Sequence, residues 1–359
     1  MELVRVGIEK KNIKRFVDLP KKLYSANDNM ESSSQMVSLL KGMHPLSKYF
    51  NLDAYLVLKD DETVARFAIT TYPEDTTAYF GFFECINDKE VSGYLFEEAL
   101  RVAKEKKCTV IIGPVDASFW LKYRLKINKF DLPPYTGEPY NKDYYLELFK
   151  NSGYEVCEHY TSSAFRSVGE DYVNEKFENR YKEFLAQGYK IESPRIEDYE
   201  KAVDEVYTLI TELYSDFPIY KNLSREDFCE MFKSYKTIMN MSMTKMAYYE
   251  GKAVGFYISL PDYGNRVYHA GLLDIPGIIK TRKHPDKYVM LYMGVDQKHR
   301  GLGKALVYAI MKELMQSGLP SIGALARDGK VTQDYASEDK TDIYEYVLLK
   351  REVENEQST

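Results

Sequence analysis

Tyr288-Val-Met-Leu-Tyr-Met-Gly-Val295, continued by Asp296-Gln-Lys-His-Arg300-Gly-Leu-Gly303-Lys-Ala305, is the stretch that decides how this chain is read. Apart from Gly294, every residue from 288 to 295 is aromatic or apolar, which predicts a buried strand. Downstream, Leu302, Leu306, Ile310 and Leu314 fall on one stripe with Ala305 and Ala309 beside it, which predicts an amphipathic helix. Between them lies a basic turn bearing Gly301 and Gly303. Glycine lets main-chain N–H groups approach an anion, and a helix start adds unpaired donors and the positive end of its dipole. The turn from His299 through Arg300, Gly301, Leu302, Gly303 and Lys304 to Ala305 is therefore expected to cradle the phosphates of a cofactor. It is not a Walker loop, since no Gly-Lys-Ser/Thr follows, and Gly-x-Gly-x-x-Gly is absent.

Working outward, 359 residues exceed one ordinary core and suit two domains. Lys and Arg number 49 against 55 acidic residues, a net charge of −6, so gripping nucleic acid is not expected as the main work. No apolar run approaches a membrane span and the N-terminus lacks a signal peptide's pattern, so a cytoplasmic protein with no membrane partner is expected. Cys85, Cys108, Cys157 and Cys229 lack close spacing, so reduced thiols and no metal site are expected.

The second half reads as a strand at Tyr189–Ser193, a helix at Glu197–Phe217, and a second helix that Ser224 begins as N-cap. A hairpin follows, Met243–Tyr249 and Ala253–Leu260 around a Glu250-Gly251 turn. After the strand, cradle and helix comes Ser321–Ala326, and Tyr344–Leu349 is expected to close the sheet. The first half repeats the order: Leu3–Ile8, Asn12–Tyr24, Met36–Leu40, a hairpin from Ala54 to Thr71, Tyr79–Ile86, a helix at Glu90–Lys106, and Thr109–Val115.

Arg300-x-x-Gly303-x-Ala305 fits the pattern Arg/Gln-x-x-Gly-x-Gly/Ala, and with the element order it resembles the GNAT superfamily of N-acyltransferases. The fold this implies is α/β (α+β): two tandem GNAT-like domains, each a mixed, splayed sheet flanked by helices. The expected division is 1–167 for a degenerate N-terminal domain, 168–188 for a linking helix, 189–351 for the acyl-CoA-binding domain, and a frayed tail at 352–359. The first half carries Asn87-Asp-Lys-Glu-Val-Ser-Gly93 where its cradle should stand, and Asp88 and Glu90 would repel a pyrophosphate. The Pro- and Tyr-rich segment from Gly113 to Tyr145 resembles one found in bacterial acetyltransferase-like proteins of two fused domains. It reads either as a wall of the substrate groove or as a covering over the first domain.

The resemblance implies acetyl-CoA, or another acyl-CoA, with its pantetheine arm along Met293, Gly294 and Val295. Gly294 is expected to break the strand and free an N–H for the oxyanion. An amine, on a small molecule or a peptide, would attack directly. The superfamily's acid is a tyrosine after the next strand, which puts Tyr335 forward with Tyr344 as rival. The base has no clear owner: His269 could act directly, Glu250 or Asp274 through water. A non-catalytic acyl-CoA-binding or interaction protein of this fold stays open, as does an acyltransferase that uses aminoacyl-tRNA.

Overall fold

Alternating and continuous apolar runs become strands, and 3.6-period runs become helices, in a computed structural model that describes residues 1–73, 75–215, 217–271, 274–329 and 337–354. Its contacts divide the chain into two compact units. One holds Met1–Pro134, Glu138–Tyr160 and Glu345–Thr359; the other holds Tyr135–Gly137 and Thr161–Tyr344.

The first unit runs β1 (Glu2–Arg5), α1 (Lys10–Leu23), α2 (Ser33–Leu40), β2 (Asn51–Lys59), β3 (Glu62–Thr71), β4 (Thr77–Cys85), α3 (Lys89–Glu105) and β5 (Val110–Gly113). Short strands β6 (Val115–Asp116), β7 (Lys122–Tyr123) and β8 (Leu125–Lys126) follow, then α4 (Tyr145–Asn151) and β9 (Glu155–Phe165), which runs on into the second unit. β1 to β4 pair antiparallel in sequence order, and β4 pairs β5 in parallel across the α3 crossover. Phe80 is fully buried where the rings of Phe67, Phe83, Phe96 and Phe149 come within 6 Å of it.

The second unit continues with α5 (Glu175–Ala186), β10 (Lys190–Glu192), α6 (Tyr199–Leu213), α7 (Arg225–Phe232), β11 (Thr244–Tyr249), β12 (Lys252–Pro261), α8 (Ile275–Lys283), β13 (Tyr288–Val295), α9 (Leu302–Ser317) and β14 (Ser321–Arg327). The expected stripe on α9 is buried: Leu302, Ala305, Leu306, Ile310 and Leu314 pack on Met243, Ala247, Val254 and Tyr288. Ser224 caps α7 by accepting the Asp227 N–H. Glu250 and Gly251 both take left-handed φ, 49° and 78°, the geometry that lets a two-residue hairpin follow the twist of its strands. α5, the expected linking helix, belongs to the second unit and packs along α9, with Tyr181 against Tyr308 at 5.4 Å and Phe184 in the core. Leu185, on the same helix, is exposed.

The last strand, β15 (Lys340–Glu352), differs from expectation. Tyr344–Leu349 does not simply close the second sheet: from Glu345 on the chain belongs to the first unit, where Leu349 to Glu352 pair with β5 and Tyr346 and Val347 with β8. Sequence cannot show this, because an apolar run fits any open strand edge equally well.

Candidate functional site

The cradle forms where the strand expected at 288–295 hands over to α9. Gly301 is the N-cap of α9 at φ 93°, a left-handed conformation that costs a residue with Cβ about 1 kcal/mol or more. The Asp296 N–H bonds to Val254 O at 2.9 Å, and its carboxylate accepts the Lys298 N–H at 2.9 Å, which fixes the entry to the turn. Within the turn, His299 N–H bonds to Asp296 O, Leu302 N–H to His299 O and Lys304 N–H to Gly301 O. Of the donors expected for an anion, those three are therefore used inside the loop. The amides of Arg300, Gly301 and Gly303 make no such bond among the described residues.

Side chains hold this turn from behind. His299 Nδ1 lies 2.6 Å from the hydroxyl of Tyr189, whose ring stacks on Tyr249 at 4.4 Å, so an aromatic nest fixes the imidazole as a structural post. Burial raises the Tyr189 hydroxyl above the usual phenol range. In front stands a residue that sequence reasoning missed. Arg180, on α5, lies 3.5 Å from where a Cβ on Gly301 would be, with its guanidinium also 2.9 Å from Glu183.

Beside the cradle, two strands part. β13 pairs β14 in parallel only over Tyr288, Val289 and Met290, opposite Ser321, Ile322 and Gly323. On its other side β13 meets β12 with a register shift, Tyr292 opposite Ile258 and Met290 opposite Ser259. Leu291 is thus the bulged residue, without a Cα partner on either neighbour among the described residues. Gly294 was expected to supply this irregularity, and it does not: it stays in regular register opposite Phe256. Its lack of a side chain answers to packing, because a Cβ there would meet Phe256 at 2.6 Å and Leu213 at 2.8 Å. From 291 to 295, including Met293 and Val295, β13 presents an edge that β14 does not cover.

The mouth of this groove has an aromatic lip. Tyr214, at the end of α6, stacks on Phe217 at 4.9 Å and donates its hydroxyl to Met293 O at 3.4 Å. At the end of β14, the Arg327 guanidinium lies 5.6 Å from the Phe217 ring centre. The tripeptide Tyr135-Thr136-Gly137 also packs here as part of the second unit. Thr136 N–H and its hydroxyl both bond to Asp262, Gly137 N–H donates to the Tyr268 hydroxyl at 2.9 Å, and Gly137 lies against the Leu291 side chain. Only these three residues of the Pro- and Tyr-rich segment belong to the second unit; the rest of the segment belongs to the first.

The expected acid–base residues fare differently. His269 is not in a strand: it follows a short 3-10 turn, Arg266–Tyr268, and is exposed. Glu250 is exposed in the hairpin turn, and Asp274 accepts the Gly271 N–H at 2.7 Å at the start of α8. Tyr344 is buried, edge-on to Tyr135 at 5.7 Å. Tyr335 lies outside the described residues. Among the described residues, no group of three or more His, Cys, Asp or Glu side chains could hold a metal ion, and no helix is long and apolar enough to cross a membrane.

The first unit carries the same features in filled form. β4 and β5 pair in parallel over three residues, Thr77 to Tyr79, and β4 then bulges near Phe82, whose φ is 51°. The chain itself occupies the gap: a Cβ on Gly81 would overlap the Val115 carbonyl, and the Phe82 N–H donates to the Asp116 carboxylate at 2.5 Å. At the start of α3 the Asp88 side chain takes the Glu90 and Val91 N–H groups at 2.8 and 3.3 Å. A carboxylate thus sits where a phosphate would be held.

No protein-family model matches the chain. It is 20% identical over 265 residues to the bacterial ceramide synthase of Caulobacter vibrioides, an alignment covering 71% of this chain and 68% of that protein. It is 27% identical over 165 residues to protein YghO of Escherichia coli K12, covering 42% of this chain and 41% of that one, less than half of its length. Among solved structures, a tandem GNAT protein from the clavulanic acid biosynthesis pathway matches with a TM-score of 0.55 at 11% identity over 99% of both chains. The fold is a tandem GNAT fold.

Proposed function

We propose that the second unit is an acyl-CoA-dependent N-acyltransferase and that the first is a duplicate without a cofactor site. The observation that carries this reading is the parting of β13 and β14 after Met290, directly before a glycine-bearing cradle at the start of α9. An open strand edge suits a ligand with amides in its chain, which can pair with main-chain groups as an added strand. A cradle with three unused amides, flanked by Arg180, Arg300 and Lys304, suits the phosphates at the other end of such a ligand. Acyl-CoA has both parts, so the residues present fit it.

Once bound, the thioester supplies an activated acyl carbonyl. The chain's part is to hold and orient it: Arg300, Gly301 and Gly303 by their amides, Met293 to Val295 by strand pairing, and Leu291, the bulged residue, by an amide available to a carbonyl oxygen. Leu291 takes over the role first given to Gly294. The acceptor is an amine entering past Tyr214 and Phe217. Ceramide is an amide, so the activity named for the Caulobacter relative belongs to the same reaction class. The acetyl group and the kind of amine are the finer parts of the proposal.

Calorimetry with CoA, acetyl-CoA and a long-chain acyl-CoA tests the first part. A thiol-release assay over amino acids, polyamines, peptides and long-chain amino alcohols tests the second. Binding with turnover supports the enzyme, binding without turnover leaves a cofactor-responsive protein, and no binding overturns the reading.

A further inference from the structure

The groove stays open because β14 turns away from β13, and the cause of that turn lies within the second unit. Leu325, two residues beyond the last paired position, has φ 59° inside the strand. Leucine rarely adopts this left-handed conformation, which crowds its Cβ against the backbone, and such strain persists only where the surroundings impose it. Here the surroundings can be named. The Leu325 N–H donates at 2.8 Å to Ser162 Oγ, in the part of β9 that neighbours β14, and Ser162 is fully buried. Ser162 Oγ is in turn 2.8 Å from the hydroxyl of Tyr135, also fully buried. Gly323, in the last pairing, leaves room for Phe165, whose ring would be 3.2 Å from a Cβ there.

We propose that Tyr135 and Ser162 are positioning residues that hold β14 in its bent conformation and so keep the groove beside β13 open. Ser162 gives the Leu325 amide a buried acceptor that a regular ladder would place elsewhere, and Tyr135 fixes the rotamer of Ser162. Without that acceptor, Leu325 loses what offsets its strained φ, and β14 relaxes toward extended backbone beside β13. Tyr135 comes from the Pro- and Tyr-rich segment, so that segment shapes the groove through a buried hydroxyl. This inference rests on the groove being the acyl-CoA groove, but its structural half can be tested without any ligand.

The test uses the full chain, with Ser162→Ala, Tyr135→Phe and the double variant Ser162→Ala/Leu325→Gly. Amide hydrogen exchange of the free protein reads the strand directly. In Ser162→Ala the Leu325 amide should exchange about tenfold faster than in wild type, while amides in 291–295 become better protected as the strands close. CoA affinity by calorimetry should fall about five- to tenfold in Ser162→Ala, and return close to wild type in the double variant, because glycine adopts φ 59° without strain. Unchanged exchange at 325 and 291–295 in Ser162→Ala overturns the positioning role whatever binds. Faster exchange with no rescue by Leu325→Gly overturns the strained-strand explanation. Should Ser162→Ala fail to fold, Tyr135→Phe, which keeps the ring, is read by the same measurements, and wild-type behaviour in it overturns the role of Tyr135. Altered exchange in a protein whose wild type binds no CoA would retain the device and reject the acyl-CoA reading.

Discussion

At the scale of single residues, glycines and one buried acid make the sharpest statements. Gly303 lies in the first turn of α9 and is buried, so Gly303→Asp places a negative charge where phosphates are to be held. CoA affinity should fall by at least about 2 kcal/mol in a folded variant. Gly93, in the first unit, has open space around a would-be Cβ, and Gly93→Asp should leave CoA affinity alone. Calorimetry on both decides. Equal losses would mean that the first unit also binds the cofactor.

Glu84 is a different case. It is 5% exposed and accepts hydroxyls from Tyr145 at 2.6 Å and Tyr24 at 2.9 Å. Burial pushes its carboxyl up to about 7, against the opposing pull of Arg66 and Lys122. The folded state therefore holds this proton more tightly than the unfolded chain. Its contribution to stability is fully present below the ordinary 4.5 and is lost as pH rises through about 7. Glu84→Gln removes that dependence. In denaturant titrations it should match wild type near the ordinary acid value and exceed it by up to about 3 kcal/mol at about pH 8. Parallel pH profiles for the two proteins would show that Glu84 is ionised throughout.

At the scale of elements, the two crossover helices α3 and α9 show how one geometry can be open in one copy and closed in the other. Each follows a strand that pairs in parallel for three residues and then bulges. In the first copy Asp88 caps the helix, and Asp116 takes the freed amide of Phe82. Asp88→Ala should destabilise the protein by about 1 kcal/mol, the ordinary loss of an N-cap, and should not create a second CoA site, because β6 still fills the gap. Calorimetric stoichiometry of one CoA per chain, in wild type and variant alike, is the expected result. A second equivalent of CoA bound by the variant would show that the cap alone had been the obstacle.

At the scale of the whole molecule, the first unit depends on the end of the chain. Val347, Leu349 and Val353 are buried in its core, and Leu349 to Glu352 cover the edge of β5. A chain ending at Tyr344 loses these side chains, worth about 5 kcal/mol together, which is comparable to the stability of an ordinary domain. Amides of β2 to β5 should lose their slow hydrogen exchange in that truncation, and a synthetic peptide of residues 345–354 should restore it. Full protection without the peptide would show that the unit folds without its last strand.

What the sequence determined by itself was everything written in local spacing. The strand at 288–295, the stripe on α9, the left-handed hairpin turn at Glu250-Gly251 and the Ser224 cap follow from period, backbone preference and side-chain reach over a few residues. The glycine-bearing turn before α9 was legible for the same reason, since Gly301 and Gly303 stand within one helical turn of each other. What only the tertiary structure decided depends on residues far apart in the chain. Arg180 reaches Gly301 only because α5 packs along α9. The bulge falls at Leu291, not Gly294, because register against β12 sets it, and Gly294 is needed instead for the ring of Phe256 and for Leu213. Tyr135, Ser162 and Leu325 meet across the length of the chain, and the last strand chose the edge of β5. A hydrogen-bond donor or an apolar strand specifies that it needs a partner, and the packing of the folded chain selects which one.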